Sequence, residues 1–152
     1  MCYLAQLGHK RIGGIFCIDE IDDSFLMARK RGFLKAISQI NLDQDESLIG
    51  QLHGECEKDS VISVIEKIFV PQKPPTALFC YSDEVAIEVM SWIMKQGYRI
   101  PEDISVLSFD GIPFAGRVTP SLSTISQPVE YQAKMYYKRH VVSTGWNRKT
   151  MR

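Results

Sequence analysis

Two side chains in the sequence have the chemistry and the position to hold a small polar ligand. Asp110 directly follows the apolar run 104–109 and precedes Gly111. A carboxylate there can accept two hydrogen bonds from ligand hydroxyl groups, although an Asp-Gly pair is as often simply a turn. Arg29 lies in the first turns of a predicted helix, and its guanidinium could clamp a ligand in a fork geometry. Taken alone, an arginine with basic neighbours is more often a solvated surface charge.

Ser82 and Asp83 follow a second apolar run, 76–81, and are further candidates. Either side chain could contact a ligand or cap the helix that follows, and capping is the more common role for such an Asp. Residues 17–19 occupy the same place after the first apolar run. If the apolar runs are parallel strands, all these residues meet at one edge of a sheet, where ligands of such sheets bind.

The sequence contains no feature that indicates an enzyme or a cofactor. The patterns GxGxxG, GxxxxGK[ST] and GxSxG do not occur. No motif therefore indicates a site for a dinucleotide, a site for a nucleotide phosphate or a hydrolase nucleophile. His9 follows a predicted helix end and could satisfy its last carbonyl groups. His140 has no carboxylate or cysteine at a useful spacing.

The cysteines argue against a metal site and against a disulfide framework. They are Cys2, Cys17, Cys56 and Cys80. No two of them form a CxxC pair. This usage is typical of reduced thiols in the cytoplasm.

Composition narrows the class of protein. The chain has 152 residues, 45% of them hydrophobic and 24% charged, with 18 basic and 18 acidic side chains. That length suits one domain, and the absence of net charge disfavours nucleic-acid binding through the surface of the chain itself. No apolar run approaches the roughly 20 residues of a membrane helix, and no secretion signal is visible. We therefore expect a cytoplasmic protein with no membrane partner.

Apolar runs also predict the fold. Three apolar runs are typical of strands covered on both faces, namely 11–17, 76–81 and 104–109. Two shorter strands are predicted at 47–52 and 122–126. Helical stripes of apolar residues lie between the runs. A strand about every 30 residues with a helix in between indicates repeated βαβ units. The predicted fold class is α/β, a three-layer parallel sheet with helices on both faces.

Five blocks of sequence resemble the effector-binding domain of the lactose/galactose-repressor (LacI/GalR) family of bacterial transcription regulators. The blocks are 7–12 (LGHKRI), 29–33 (RKRGF), 75–86 (PTALFCYSDEVA), 100–110 (IPEDISVLSFD) and 120–128 (PSLSTISQP). They keep the order and spacing of that family. The segments 12–16 and 80–84 are also similar to the arabinose-responsive repressors, which carry the same effector domain.

The resemblance implies a fold and a set of site residues. The fold is one lobe of a type I periplasmic-binding-protein-like domain, in which a sugar, nucleobase or phosphorylated metabolite binds between two lobes. Effector binding would modulate the operator affinity of a homodimer. Arg29 and Asp110 occupy the effector-contacting positions of the family, with Ser82 and Asp83 beside them. Ser82 stands where many members have asparagine, and Cys56 falls near a position that often holds an aromatic residue.

The resemblance also implies a domain organisation. Residues 1–124 correspond to the C-terminal lobe of the two-lobed domain. Residues 125–152 correspond to a crossover strand and an atypical start of a helix of the absent first lobe. A helix-turn-helix domain is missing, so we expect a truncated or frame-shifted product or a cloned fragment. The tail from 129 onwards mixes basic and aromatic residues, and we expect its charges to be solvated.

A second apolar stripe predicts a dimer interface. In the family, the helix after 82–83 contributes to a homodimer interface, and here Ile87, Met90 and Met94, with Val118, could form one. The same residues could equally be core, because both faces of such a sheet are covered. Two other functions stay open, namely a sugar-binding lobe without a regulatory role and a dimerisation module that binds no ligand.

Overall fold

A five-stranded parallel sheet forms the centre of the molecule, with strand order β2-β1-β3-β4-β5. The structure, a computed structural model, describes residues 2–18, 25–40, 42, 45–53, 58–70 and 73–137. The strands are β1 (Ile12–Ile18), β2 (Ile49–His53), β3 (Ala77–Cys80), β4 (Ser105–Asp110) and β5 (Ser123–Ser126). The helices are α1 (Cys2–Gln6), α2 (Phe25–Gln39), α3 (Lys58–Phe69), α4 (Asp83–Lys95) and α5 (Val129–Tyr136), with short 3-10 turns at Glu46–Leu48 and Ala115–Arg117.

Helices cover both faces of the sheet, as the apolar runs predict. A side chain at Gly14 of β1 would meet Phe33 of α2, whereas one at Gly50 of β2 would meet Val64 of α3. Gly50 pairs with Ile15, the strand neighbour of Gly14, and successive strand residues point to opposite faces. Thus α2 lies on one face and α3 on the other, where α4 packs beside α3. The predicted α/β fold class is confirmed.

The face under α2 is closed by three aromatic rings. Phe16 of β1, Phe33 of α2 and Phe79 of β3 are buried, with ring centroids 5.1 to 6.0 Å apart. Such edge-to-face and offset contacts contribute about 0.5–1.5 kcal/mol per pair beyond burial of the rings. This cluster fixes α2 against the sheet and so fixes the position of Arg29 on it.

Strand β2 begins two residues later than the sequence pattern indicates. The side chain of Asp45 accepts hydrogen bonds from the backbone N–H of Ser47 at 3.0 Å and from Arg11 at 2.7 Å. An Asp that bonds the backbone two residues on forms a local turn. Residues 46–48 are therefore drawn into a 3-10 turn before the strand can start.

His9 satisfies a carbonyl group at the end of the helix before it, as expected, because its backbone N–H donates to the Leu4 carbonyl at 3.2 Å. Its ring bridges the starts of two strands, with Nδ1 3.0 Å from Thr76 Oγ1 and Nε2 3.0 Å from Ser105 Oγ. The Thr76 hydroxyl donates to the carbonyl of Arg11 at 3.3 Å. Nδ1 therefore carries the proton and donates to Thr76, and Nε2 accepts from Ser105.

We expect the protein to lose stability as the pH falls below about 6.5 because of His9. Burial lowers the pKa of His9 in the folded chain, so the unfolded chain binds the proton first. The stability that neutral His9 contributes is present above the unfolded pKa of about 6.5 and is lost as the pH falls from there to the folded pKa. Thermal unfolding of the parent and His9→Gln at pH 5 to 8 measures this; an equal pH dependence in both would contradict it.

In the part of the chain that the structure describes, no helix is long and apolar enough to cross a membrane.

Candidate functional site at the carboxyl edge of the sheet

The structure brings Arg29 and Asp110 together at the carboxyl edge of the sheet. Arg29 lies in the second turn of α2, and Asp110 is the last residue of β4. Nη2 of Arg29 donates to Oδ1 of Asp110 at 2.9 Å, and Nη1 donates to the backbone carbonyl of Tyr81, just after β3. The side chains are 12% and 25% exposed. The pair is thus partly sheltered and still reachable by a ligand.

Aromatic rings orient the guanidinium of Arg29. Its central carbon lies 4.3 Å from the centroid of the Phe109 ring and 5.5 Å from that of Phe25. A cation over an aromatic face contributes roughly 0.5–2 kcal/mol, more as water is excluded. Phe109 therefore supports the arginine from the strand that also carries Asp110.

Asp110 retains an open acceptor. Its Oδ1 accepts from Arg29 and also from Nε2 of Gln127 at 2.7 Å, whereas Oδ2 accepts no hydrogen bond from any residue that the structure describes. Its backbone has φ +143°, a conformation rare for residues with a side chain, and such strain is typical of ligand sites. Oδ2 can accept a hydrogen bond from a ligand hydroxyl group, while Arg29 can donate further N–H groups.

Asp83 is the structural centre of this edge. Its side chain is fully buried, and its carboxylate accepts from the hydroxyls of Ser108 and Thr124, both at 2.5 Å. It also accepts from the backbone N–H groups of Gly111 at 2.9 Å and Ile112 at 2.8 Å. Burial alone would raise the pKa of Asp83, but these four hydrogen bonds outweigh it and hold the pKa below its ordinary value. Asp83 ties the start of α4 to β4, β5 and the loop after Asp110.

The sequence of the chain matches a known domain family over most of its length. Residues 2–138 match the periplasmic binding protein-like domain family. The chain belongs to this family. That assignment agrees with the resemblance to the LacI/GalR effector domain, which the relatives confirm.

The relatives of this periplasmic binding protein-like domain are transcriptional repressors. The chain is 38% identical over 128 residues to the probable HTH-type transcriptional repressor ExuR of Bacillus subtilis (strain 168), covering 84% of the chain and 37% of that protein. It is 34% identical over 127 residues to the HTH-type transcriptional repressor PurR of Vibrio atlanticus (strain LGP32), covering 83% of the chain and 36% of that protein. The chain thus spans just over a third of the length of these relatives.

Solved structures of LacI-family regulators share the fold. A sugar-binding transcriptional regulator of the LacI family from Escherichia coli, complexed with phosphate, superposes with a TM-score of 0.83 at 24% identity, over 98% of this chain and 52% of that one. A LacI family transcriptional regulator from Lactobacillus casei with bound glucose gives 0.79 at 25% identity, over 96% and 54% of the two chains.

The other candidate ligand residues of the domain have different positions. Ser82 is half-buried and caps α4, its hydroxyl accepting from the N–H of Val85 at 3.4 Å. Asp83 does not cap that helix, whose cap is Ser82, because its buried carboxylate accepts from Ser108 of β4 and Thr124 of β5. Its contact with an effector stays a prediction. Cys56 lies outside the described residues. No group of three or more His, Cys, Asp or Glu side chains that could hold a metal occurs within the described ranges.

The predicted dimer stripe is divided between core and surface. Met90 is 2% exposed and belongs to the core, so its side chain is covered within this chain rather than presented to a second copy. Ile87 and Val118 are half-buried and pack against the core. Met94 is 40% exposed. The helical spacing alone could not separate these positions, because a helix over a sheet buries a broad stripe.

Sequence reasoning missed three side chains of the site. Gln127 contacts Asp110, and Ser108 and Thr124 hold Asp83. A signal existed for two of them: Gln127 directly follows the predicted strand 122–126, as Asp110 follows the run 104–109, and Ser108 is a hydroxyl inside an apolar run. That the backbone carbonyl of Tyr81 contacts Arg29 leaves no signal in the sequence.

Proposed function

We propose that this chain is the second lobe of the effector-binding domain of a LacI/GalR-type transcription regulator, and that its carboxyl edge forms half of a site for a small polyhydroxylated effector, a sugar. Residues 1–124 would form the lobe, and 125–152 would return towards the first lobe. The Arg29–Asp110 pair is the observation that carries this proposal. It offers donors and an open acceptor side by side, which matches the vicinal hydroxyl groups of a sugar.

Charge supports a neutral, hydroxyl-rich effector. The guanidinium of Arg29 already faces a carboxylate at 2.9 Å, so the pair has no excess charge with which to attract an ion. The glucose bound to the Lactobacillus casei regulator is a ligand of this class. Ser82 and Asp83 would support the edge from the start of α4, with Cys56 in the segment between β2 and α3.

The regulatory role follows from linkage. An effector that binds one arrangement of two lobes better than another shifts the equilibrium by its difference in affinity, and with it the affinity for an operator. The relatives are helix-turn-helix repressors, so DNA contact would come from such a domain. We therefore infer a cytoplasmic homodimeric regulator that is not an enzyme and needs no cofactor.

We expect the chain alone to bind a monosaccharide with a dissociation constant on the order of millimolar or weaker, because one lobe covers one side of a ligand that a complete site buries by about 70–90%. Titration of the full chain with D-glucose, D-galactose, a hexuronate and adenine, followed by amide NMR spectra, measures this affinity. Arg29→Gln should weaken the binding at least about tenfold. Arg31→Gln, an exposed position on the same helix, is the matched control.

Two outcomes would contradict the proposal. Equal binding by the parent and Arg29→Gln would place the ligand elsewhere. A sub-micromolar dissociation constant would show a complete pocket in a chain that we propose to hold half of one. If the chain preferred the hexuronate or adenine, the proposed effector class would be wrong, whereas the proposed position of the site would stand.

A dimerisation module that binds no ligand is the second candidate, and the exposed Met94 on α4 favours it. If α4 forms the interface, Met94→Glu should convert a dimer into a folded monomer, because it places a charge in an apolar contact. Light scattering with circular dichroism measures both mass and folding, and Lys95→Glu is the control beside it. A parent monomer, or a Met94→Glu dimer, would contradict this interface.

A further inference from the structure

Gln127 joins the candidate ligand carboxylate to the segment that leaves the sheet. It follows β5 directly and precedes the Pro128 turn into α5. Its side-chain Nε2 donates to Asp110 Oδ1 at 2.7 Å, and its backbone N–H donates to the Asp110 carbonyl at 3.1 Å. Its own carbonyl accepts from the N–H of Val129, the first residue of α5, at 2.8 Å. A single residue thus contacts both the site and the helix.

Asp110 and Gln127 constrain each other through the backbone as well. Asp110 has φ +143°, and a residue keeps such a conformation only where its surroundings impose it. The bond from the Gln127 N–H is one restraint. Gly111 is the other, since its α-carbon has no space for a side chain against the Ser126 backbone. A change at Asp110 therefore reaches Ser126 and Gln127 directly.

The shared oxygen makes this contact sensitive to a ligand. A carboxylate oxygen has about two lone-pair directions, and Oδ1 of Asp110 uses both, for Arg29 and Gln127. A ligand hydroxyl that bonds to Asp110 either draws charge to Oδ2 or displaces one of the two donors. Both changes weaken the bond from Gln127.

Helix α5 depends on this connection for its direction. It has no buried residue, and Pro128 gives it no side-chain cap. Its first turn is closed by the N–H of Gln132 donating to the Pro128 carbonyl at 2.9 Å. None of its side chains is buried, so the backbone at Gln127 and Pro128 is the connection through which the sheet sets where α5 begins.

We propose that Gln127 is a positioning residue that transmits the hydrogen-bonding state of the Asp110 carboxylate to helix α5. As a response to an effector, this role rests on the proposed function. The link itself is a property of the ligand-free chain, and it is tested there.

The first test uses amide NMR spectra of the full chain. Asp110→Asn removes the charge that Gln127 contacts, and it should shift the amide signals of 129–136. In the Gln127→Ala background most of that response should be lost, as for any coupled pair in a double-mutant cycle. Gln132→Ala is the matched control, in which the response to Asp110→Asn should persist. An equal response in the Gln127→Ala background, or none in the parent, would overturn the proposal.

The second test separates transmission from packing. Gln127→Glu puts a carboxylate against Asp110 and should shift the α5 signals at neutral pH. On acidification the introduced carboxyl, whose pKa the charge of Asp110 raises, becomes a donor, and the signals should return towards those of the parent. If the α5 signals did not return on acidification, the effect of residue 127 would come from its packing and not from its hydrogen bond to Asp110, and the proposal would be overturned. Neither test needs a ligand, so a chain that binds no sugar refutes the proposed function without deciding this one.

Discussion

Asp83→Ala is expected to lower the free energy of unfolding by about 3–5 kcal/mol, because it removes the buried acceptor that four neutral hydrogen-bond donors share. Four donors lose this acceptor: two hydroxyls and the N–H groups of Gly111 and Ile112. Ser108 keeps a longer bond to the Ser123 carbonyl at 3.4 Å, and the Gly111 N–H keeps one to Thr124 Oγ1 at 3.2 Å. Each buried donor left unsatisfied costs roughly 1–3 kcal/mol, reduced where a hydroxyl can turn to another acceptor. Urea unfolding followed by circular dichroism measures the loss.

Asp103→Ala is the matched control for Asp83. Asp103 also accepts several hydrogen bonds, all from Arg99, and they lower its pKa to about 2. It is exposed, however, and exposed ion pairs contribute between about 0 and 1 kcal/mol. A similar small loss for both variants would contradict the account of Asp83 as the centre of the edge.

The pKa of Asp83 also gives the sign of an acid effect. Because its folded pKa lies below the ordinary value, Asp83 stabilises the fold above the unfolded pKa of about 3.9, and this contribution is lost as the pH falls through the folded pKa. The stability that Asp83 contributes is therefore lost below about pH 3.9, a range well below the one in which His9 changes the stability. It should be missing from Asp83→Ala.

Gly111→Ala is expected to cost about 2–5 kcal/mol and to abolish the ligand response of Asp110. The residue has φ +78°, and an added Cβ would lie 2.7 Å from the Ser126 α-carbon and 2.3 Å from its hydroxyl oxygen. The left-handed backbone costs about 1–2 kcal/mol for a residue with a side chain, and the overlap with backbone adds roughly 1–3 kcal/mol. Because Asp110 precedes it, relief of the overlap must move the candidate site.

Two other glycines isolate these contributions. Gly97 has φ +87° with nothing within 4 Å of an added Cβ, so Gly97→Ala should show the backbone cost alone. Gly116 has neither the positive φ nor a neighbour, and Gly116→Ala should be close to neutral. In thermal or urea unfolding we expect the loss of stability to be largest for Gly111→Ala, smaller for Gly97→Ala and smallest for Gly116→Ala. Equal losses at 111 and 97 would show that Ser126 moves aside freely.

Local sequence patterns were sufficient for the strands, for both faces of the sheet and for the central pair of the site. Asp110 could be selected because residues after parallel strands converge at one edge, and Arg29 because it lies in the first turns of a predicted helix near that edge; the resemblance pointed to the same two. Strand order had no comparable signal, since it depends on which helices cross over which strands. Nothing in the run of apolar residues specifies that β1 lies between β2 and β3.

The role of Asp83 could not be predicted for a related reason. Beside Ser82 at a helix start, an Asp has the pattern of a cap, and its real partners lie 25 to 41 residues further along the chain. Gln127 is similar, because its contact with Asp110 arises from the register in which Asp110 pairs with Ser126. Such contacts are set by tertiary packing, and side-chain chemistry alone does not select among them.

The central claim is that the Arg29–Asp110 edge is where this lobe meets its effector, and the location of the shifted signals in the monosaccharide titration tests it most directly. The account predicts that the largest amide shifts map to the residues around 29, 81, 110 and 127, at the carboxyl edge of the sheet. Shifts confined to the opposite edge, around His9 and Ser105, with none at Asp110, would contradict it.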